Sequence, residues 1–187
     1  MHRFIPTRHF NWVCHHLHID KSKTVNEALL EQSLVHMKEK WTLMRDIKRT
    51  YTDGDLEERM LATTTQLVDQ GCTKMRTFVD VDRISGTQPL RCALTIKEHW
   101  KKKDVDVQIG TQLLEGLESI DNIRLFRQVA PMVDFIGCLP SRDADPHHHL
   151  DIVFDVAQEL DKDVEAHVDQ CNVPTEKETE LFCDYVE

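Results

Sequence analysis

The sequence lacks the features that mark several classes of protein. No window of about 18 apolar residues occurs, so no transmembrane span is predicted. Residues 1–6 have none of the apolar core that is typical of a secretory signal peptide. The six cysteines form no Cys-x-x-Cys pair and are irregularly spaced, which favours reduced thiols over a disulfide framework. These absences predict a cytoplasmic protein without a membrane-embedded part.

Positive charge is also scarce. The 23 lysines and arginines are outnumbered by 33 aspartates and glutamates, and the net charge is −10 at pH 7. Nucleic acids and anionic membranes attract basic surfaces, so we expect neither as the main partner. The fractions of charged residues (30%) and hydrophobic residues (40%) are typical of a soluble globular protein, and 187 residues are enough for one good core.

Strand and helix patterns alternate along the chain. Apolar residues that alternate or run continuously predict five strands, near residues 10–18, 73–82, 105–114, 133–139 and 164–168. Helical spacing predicts one long helix or two joined helices over residues 25–49. A second helical segment begins at a cap, Asp53 or Asp55, and ends at about residue 69. Further helices are predicted over residues 88–103, 122–131 and 146–162 and from residue 175 onward. Strands that alternate with helices indicate a parallel sheet, by the right-handed crossover rule. A dinucleotide-binding fold has no support, since no glycine-rich turn follows the first strand.

Polar and charged residues cluster at the carboxyl ends of the predicted strands. They are His16, His18, Asp20, Asp80, Asp82, Arg142, Asp143, His167, Asp169 and Gln170. A (β/α)₈ barrel places its active site at this end of its strands. Eight βα units usually need about 250 residues, and this sequence contains five. We therefore expect an α/β fold of the (β/α)₈ TIM-barrel type that is incomplete, with about the first five βα units and parallel strands.

Three histidines are candidates for one metal site. His16 and His18 lie about 7 Å apart on one face of the first strand, because side chains on a strand alternate between faces. His167 lies on the fifth strand, which faces the first across a barrel. Three neutral imidazoles with an open position are what a catalytic metal needs to bind and acidify water. The alternative for His167 is a hydrogen-bonded core histidine, and for residues 14–21 it is a polar, histidine-rich loop.

Four ordered motifs resemble those of the amidohydrolase superfamily, in the branch of cytosine deaminase and isopropylammelide amidohydrolase. They are residues 16–21 (HLHIDK), 76–82 (RTFVDVD), 136–140 (IGCLP) and 167–170 (HVDQ), with weaker matches at 106–109, 115–116 and 149–151. The resemblance covers nearly the whole chain from about residue 12. It predicts a metal-dependent hydrolase, of the deaminase or amidase type, that acts on C–N bonds other than peptide bonds.

The resemblance also implies roles for particular residues. It implies one divalent metal ion, zinc or iron, held by His16, His18 and His167. Lys21 would line the site near the metal. Asp20, Asp82 and Arg142 are weaker candidates for orienting ligands or substrate. The expected partner is a small-molecule substrate, a heterocyclic amine or an amide.

Several positions depart from the pattern of this branch. Gln170 stands where the cytosine deaminases have a glutamate that shuttles protons, and an amide cannot transfer protons as a carboxyl group does. Leu114 stands at the position of a substrate-binding glutamine, and Phe78 replaces a histidine. Together these differences make cytosine an unexpected substrate.

Such enzymes also have a metal-site histidine on a sixth strand and an aspartate on an eighth, for which the sequence has no counterpart. We interpret residues 12–187 as a partial barrel domain and residues 1–11 as a short lead-in, as in a truncated fragment. The alternative is a catalytically inactive barrel remnant or scaffold that binds metal weakly or not at all. Open edges at strands one and five would then favour a homo-oligomer or aggregation.

A run of three histidines, residues 147–149, also invites a metal interpretation. It follows Asp145-Pro146 at the start of a predicted amphipathic helix, so we expect a solvated first turn instead.

Overall fold

Among the described residues, five parallel strands form one curled sheet in the sequential order β1-β2-β3-β4-β5. The computed structural model describes residues 12–32, 34, 36–171 and 173–186. The strands are β1 (Trp12–His18), β2 (Cys72–Asp80), β3 (Asp106–Gln112), β4 (Phe135–Cys138) and β5 (Val164–Ala166). This is the incomplete TIM-barrel architecture that the sequence predicts. The part of the predicted first strand before Trp12 lies outside the described residues.

In the part of the chain that the structure describes, seven α-helices connect or follow the strands. They are α1 (Glu27–Gln32), α2 (Met37–Lys48), α3 (Asp53–Asp69), α4 (Gln88–Lys101), α5 (Ile120–Val129), α6 (Pro146–Leu160) and α7 (Glu178–Val186). The sequence allowed residues 25–49 to form one helix or two, and the structure has two. The sequence predicted Asp53 or Asp55 as the N-cap of α3, and this prediction is wrong. The N-cap is Thr52, whose hydroxyl accepts a hydrogen bond from the Asp55 N–H.

The main core lies between the outer face of the sheet and the helices. Residues of β2, β3 and β4 that point outward pack against the apolar stripes of α3, α4 and α6. Its fully buried members include Leu56, Met60, Val79, Leu90, Ile109, Ile136, Leu150 and Val153. This layer holds the sheet in its curved shape and so sets where the strand ends converge.

The inner face of the sheet carries two large rings beside glycines. Phe78 and Phe135 are both fully buried, and their strands flank Gly110, which is in register with both residues. A Cβ atom on Gly110 would lie 2.1 Å from the Phe135 ring, and one on Gly137 would lie 2.8 Å from the Phe78 ring. Because Gly110 and Gly137 have no side chain, the two rings fit at the centre of the concave face.

Candidate metal centre

His16 and His18 reach the concave face from the carboxyl end of β1. The register between β1 and β2 shifts between Cys14 and Leu17, so two residues of β1 oppose one of β2. Such bulges bend a strand and re-aim its side chains, and they are common beside functional sites. Both imidazoles point to the same side of the sheet, as the alternation of the sequence predicts.

His167 follows β5 directly, and the curl of the sheet brings its ring to the two histidines of β1. The Nε2 atoms of the three rings lie 3.3 Å (His16–His18), 3.1 Å (His18–His167) and 3.1 Å (His16–His167) apart. The point equidistant from the three nitrogens lies about 1.8 Å from each, close to the ~2.0–2.1 Å of a zinc–imidazole bond. Among the described residues, these three form the one group that could hold a metal ion. We call this group the histidine triad.

Burial keeps two of these rings in the neutral form that binds metals. Desolvation, with a smaller contribution from the Lys21 ammonium, lowers the pKa of His18 to about 3. Desolvation and the neighbouring His16 ring lower the pKa of His167 to about 4. Metal ligation requires an unprotonated ring nitrogen, so these environments suit ligands at neutral pH.

The Phe78 ring packs against all three imidazoles of the triad. Its ring centroid lies 5.1 Å from that of His16, 5.4 Å from that of His18 and 4.5 Å from that of His167. The ring is wholly buried and also meets Phe135 edge-on. The phenylalanine that departs from the motif of the branch that the sequence resembles therefore packs against all three imidazoles.

The carboxylate of Glu165 lies next to Nδ1 of His16. The Nδ1 atom of His16 lies 3.5 Å from Oε1 of Glu165, whose other oxygen pairs with Nε of Arg76 at 3.3 Å. Carboxylates beside the second ring nitrogen of a histidine fix its tautomer and leave Nε2 for a metal. Arg76 in turn lies over the Phe135 ring at 4.1 Å.

A buried ionic network lies beside the triad. Lys48 is fully buried, and its Nζ atom pairs with Asp80 at 2.7 Å and with Asp82 at 2.5 Å. Lys21 pairs with the same oxygen of Asp80 at 2.9 Å. Burial alone would raise the pKa of Asp80, but the two ammonium groups outweigh it and hold the pKa well below its usual range.

Asp20 is part of the same framework. Its Oδ2 atom accepts a hydrogen bond from the Asp80 N–H at 3.1 Å, and its carbonyl accepts from Tyr51 and Arg59. Desolvation and the neighbouring Asp80 carboxylate raise its pKa. These contacts hold the segment after β1 in place.

A cavity of about 230 Å³ opens beside His18 and His167. The predicted site residues Lys21, Leu114 and Gln170 all line it. Its other lining residues are Gln112, Leu139, and Met37, Lys40, Trp41 and Met44 of α2. The structure thus brings two histidines of the triad together with Lys21, Leu114 and Gln170 around one cavity.

Asp82 and Arg142 lie behind this cavity instead of lining it. Asp82 binds Lys48 and accepts hydrogen bonds from the N–H groups of Ile84 and Ser85. The Arg142 guanidinium lies 4.0 Å from the centre of the Trp41 ring and donates to the Leu114 carbonyl. In these positions both side chains brace the cavity wall.

The predicted solvated turn at residues 147–149 is correct for His147 and His148 and wrong for His149. His149 is buried, its Nδ1–H donates to Asp143 at 2.6 Å, and its Nε2 accepts from the Leu139 N–H at 3.1 Å. The start of α6 turns this one ring inward, where it ties together the segment that follows β4.

Lys48 and Gln112 are not among the residues that the sequence predicted for the site. Lys48 lies seven residues after Trp41 and four after Met44, so it continues the apolar stripe of α2. A lysine on an apolar stripe signals a buried partner, and this signal was available. Gln112 is the last residue of β3, whose final four residues are all buried. A polar side chain at the end of a buried strand likewise signals a buried partner.

The fold and the triad together define a class. An incomplete parallel α/β barrel with imidazoles at the carboxyl ends of β1 and β5 has the site where (β/α)₈ enzymes have theirs. Among the described residues, no helix combines the length and the apolar character that crossing a membrane requires.

Comparisons with known proteins agree with that class. No protein-family model matches the chain. An uncharacterised protein of Haemophilus influenzae is 34% identical over 178 residues, which are 92% of this chain and 64% of that protein. The 5-methylcytosine deaminase of Klebsiella pneumoniae liganded with 5-fluorocytosine is 25% identical, with a TM-score of 0.81 over 93% of this chain and 43% of that one. Its complex with phosphonocytosine has a TM-score of 0.82, with the same identity and coverage.

A third structure is N-isopropylammelide isopropylaminohydrolase of Burkholderia multivorans. It is 23% identical with a TM-score of 0.67, over 83% of this chain and 39% of that one, and it shows the fold alone. The chain therefore spans less than two thirds of the relative and less than half of each of these structures. Its structural neighbours are hydrolytic deaminases and amidohydrolases, in agreement with the branch that the motifs resemble.

Proposed function

We propose that this chain carries the three-histidine part of the metal centre of a hydrolase of the deaminase or amidase type, which acts on C–N bonds other than peptide bonds. The observation that carries the proposal is the convergence of three Nε2 atoms within 3.1–3.3 Å. A ring nitrogen carries either one hydrogen or one lone pair, so three nitrogens around one point cannot all be satisfied by each other. A cation at that point satisfies all three.

The residues present fit a divalent ion, with zinc or iron as the candidates. His16, His18 and His167 would hold it through Nε2, with Glu165 behind His16. When bound, such an ion lowers the pKa of a coordinated water towards neutrality. Lys21 places a positive charge at the cavity wall, held there by Asp80.

The cavity residues restrict the substrate. Gln170 contacts Ser141 through its amide at 3.4 Å and can position a ligand, but it cannot shuttle a proton. Leu114 cannot hydrogen-bond a pyrimidine edge. We therefore propose a small heterocyclic amine or an amide other than cytosine as the substrate.

Metal titration tests the proposal. Purified protein loaded with zinc and desalted should contain about one metal per chain, and His16→Ala and His167→Ala should each abolish retention. His148→Ala, which changes an exposed histidine on α6, is the matched control and should retain zinc. Zinc at a hundred times its dissociation constant should stabilise the wild type by about 2.7 kcal/mol in thermal unfolding. Less than about 0.1 metal per chain, unchanged by the triad variants, contradicts the proposal.

The alternative is a catalytically inactive barrel that serves as a scaffold. Gln170, in place of a proton-shuttling glutamate, is the observation that favours it. A scaffold of this kind binds metal weakly or not at all, so the same titration separates the two functions.

A further inference from the structure

Gln112 is a buried polar side chain that the proposed metal chemistry does not use. It is 3% exposed and ends β3, where it is in register with Asp80. It also lines the cavity that His18, His167 and Lys21 share. Its surroundings decide which atom of the amide is available to a ligand.

The ionic network orients the Gln112 amide. Its Nε2 atom donates a hydrogen bond to Oδ1 of Asp80 at 3.3 Å. Lys21 and Lys48 pair with the other oxygen of this carboxylate, so Asp80 is charged and can only accept hydrogen bonds. The amide nitrogen must therefore face Asp80, and the carbonyl oxygen Oε1 is left as an acceptor.

That acceptor lacks a partner. Oε1 of Gln112 is shielded from solvent and has no hydrogen-bond partner among the described residues. Native proteins rarely leave a buried acceptor unpaired, because the lost hydrogen bonds to water are not replaced. Gln112 lines the cavity beside the candidate metal centre, and an N–H group of a ligand bound there would supply the missing partner of Oε1.

The rest of the cavity wall limits the ligand. Leu114, Leu139 and Trp41 form a small apolar cluster, with Met37 and Met44 of α2 packed against it. The cavity of about 230 Å³ is smaller than the ~300–1,000 Å³ of sites for drug-sized ligands, which indicates a single ring or a short amide.

We propose that Gln112 determines substrate specificity by accepting, through Oε1, a hydrogen bond from an N–H group of a small planar heterocycle or amide. The apolar cluster would contact the flat face or the edge of that ligand. This inference rests on the proposed function, because it requires the reacting carbon to lie near the triad.

Two matched probes test the inference. One is 5-fluoro-2-pyridone, a lactam with an N–H group, and the other is its N-methyl derivative. Their binding to zinc-loaded protein is measured by fluorine NMR titration. We expect wild-type protein to bind the N–H probe about tenfold more tightly, which corresponds to ~1.4 kcal/mol.

Variants assign that preference to one residue. Gln112→Met removes the acceptor at similar side-chain volume, and we expect both probes to bind it equally. Gln112→Leu is a second variant in case the first does not fold. Gln108→Met changes an exposed glutamine on the same strand and should keep the tenfold preference.

Three results would overturn the inference. They are equal binding of the probes by wild-type protein, a preference that persists in a folded Gln112 variant, and binding of neither probe. Protein that takes up no zinc instead contradicts the proposed function. The probes are then compared on metal-free protein, and that comparison still decides the role of Gln112.

Discussion

Among single residues, Glu165 supports the triad through His16. It is the carboxylate nearest to Nδ1 of His16, and Arg76 holds it from the other side. The side chain of His16 is 51% exposed, so burial does little to hold this ring in one orientation. A charged acceptor behind the ring does so, and it also raises the basicity of Nε2.

We predict that Glu165→Gln lowers the affinity for zinc by about 10–100-fold, the usual loss when a carboxylate behind a metal ligand is removed. The measurement is competition with a chromophoric chelator. Asp163→Asn is the matched control, because Asp163 also pairs with Arg76, at 3.4 Å, but is 84% exposed and does not contact His16. A change below about twofold for Glu165→Gln would show that Glu165 does not position the ring.

At the scale of secondary-structure elements, α2 is attached to the sheet by one buried lysine. Lys48 is the last residue of α2, and it reaches Asp80 at the end of β2 and Asp82 just beyond. The same helix supplies Met37, Trp41 and Met44 to the cavity wall. The ion pairs therefore place the helix that closes one side of the cavity.

We predict that Lys48→Met destabilises the protein by about 3–5 kcal/mol, because it leaves the buried carboxylates without their main partner. Urea unfolding at pH 7 measures the change. Arg49→Met is the control, since Arg49 makes an exposed pair with Asp46 and should cost less than about 1 kcal/mol. A loss below about 1 kcal/mol for Lys48→Met would contradict this account.

The same variant should change the dependence of stability on pH. Asp80 has a lowered pKa in the folded protein, so it contributes stability above its unfolded pKa. That contribution is lost as the pH falls through its folded pKa. Without Lys48 the folded pKa rises, so we expect acid unfolding to begin at a higher pH.

At the scale of the whole molecule, the described sheet is open at both ends. Within the described residues, β1 pairs only with β2, and β5 pairs only with β4. Trp12 and Val13 at the β1 end are 65% and 43% exposed. Unpaired strand edges with exposed apolar side chains favour pairing with another chain.

We therefore predict that the 187-residue polypeptide self-associates as its concentration rises, measured by sedimentation velocity. Trp12→Lys should weaken the association, because a charge on a strand edge opposes pairing. Val25→Lys changes an apolar residue that is 54% exposed and outside the strands, and it should have little effect. A polypeptide that stays monomeric up to about 100 µM would contradict the prediction.

The order of strands and helices and the class of fold are predictable from the sequence. These depend on local periodicity, such as the alternation in β3 and the apolar stripe of α6, and each pattern is complete within one element. It also placed His16 and His18 on one face of β1, because strand alternation is a local property.

Which of the chemical groups meet depends on the packing of elements that are far apart in the sequence. His18 and His167 are 149 residues apart, and their 3.1 Å contact depends on the curl of the whole sheet. The burial of Lys48 and His149, the support from Phe78 and the orphaned Oε1 of Gln112 likewise depend on packing between distant elements. Local patterns contain no such information, because the distance between two elements is set by everything that packs around them.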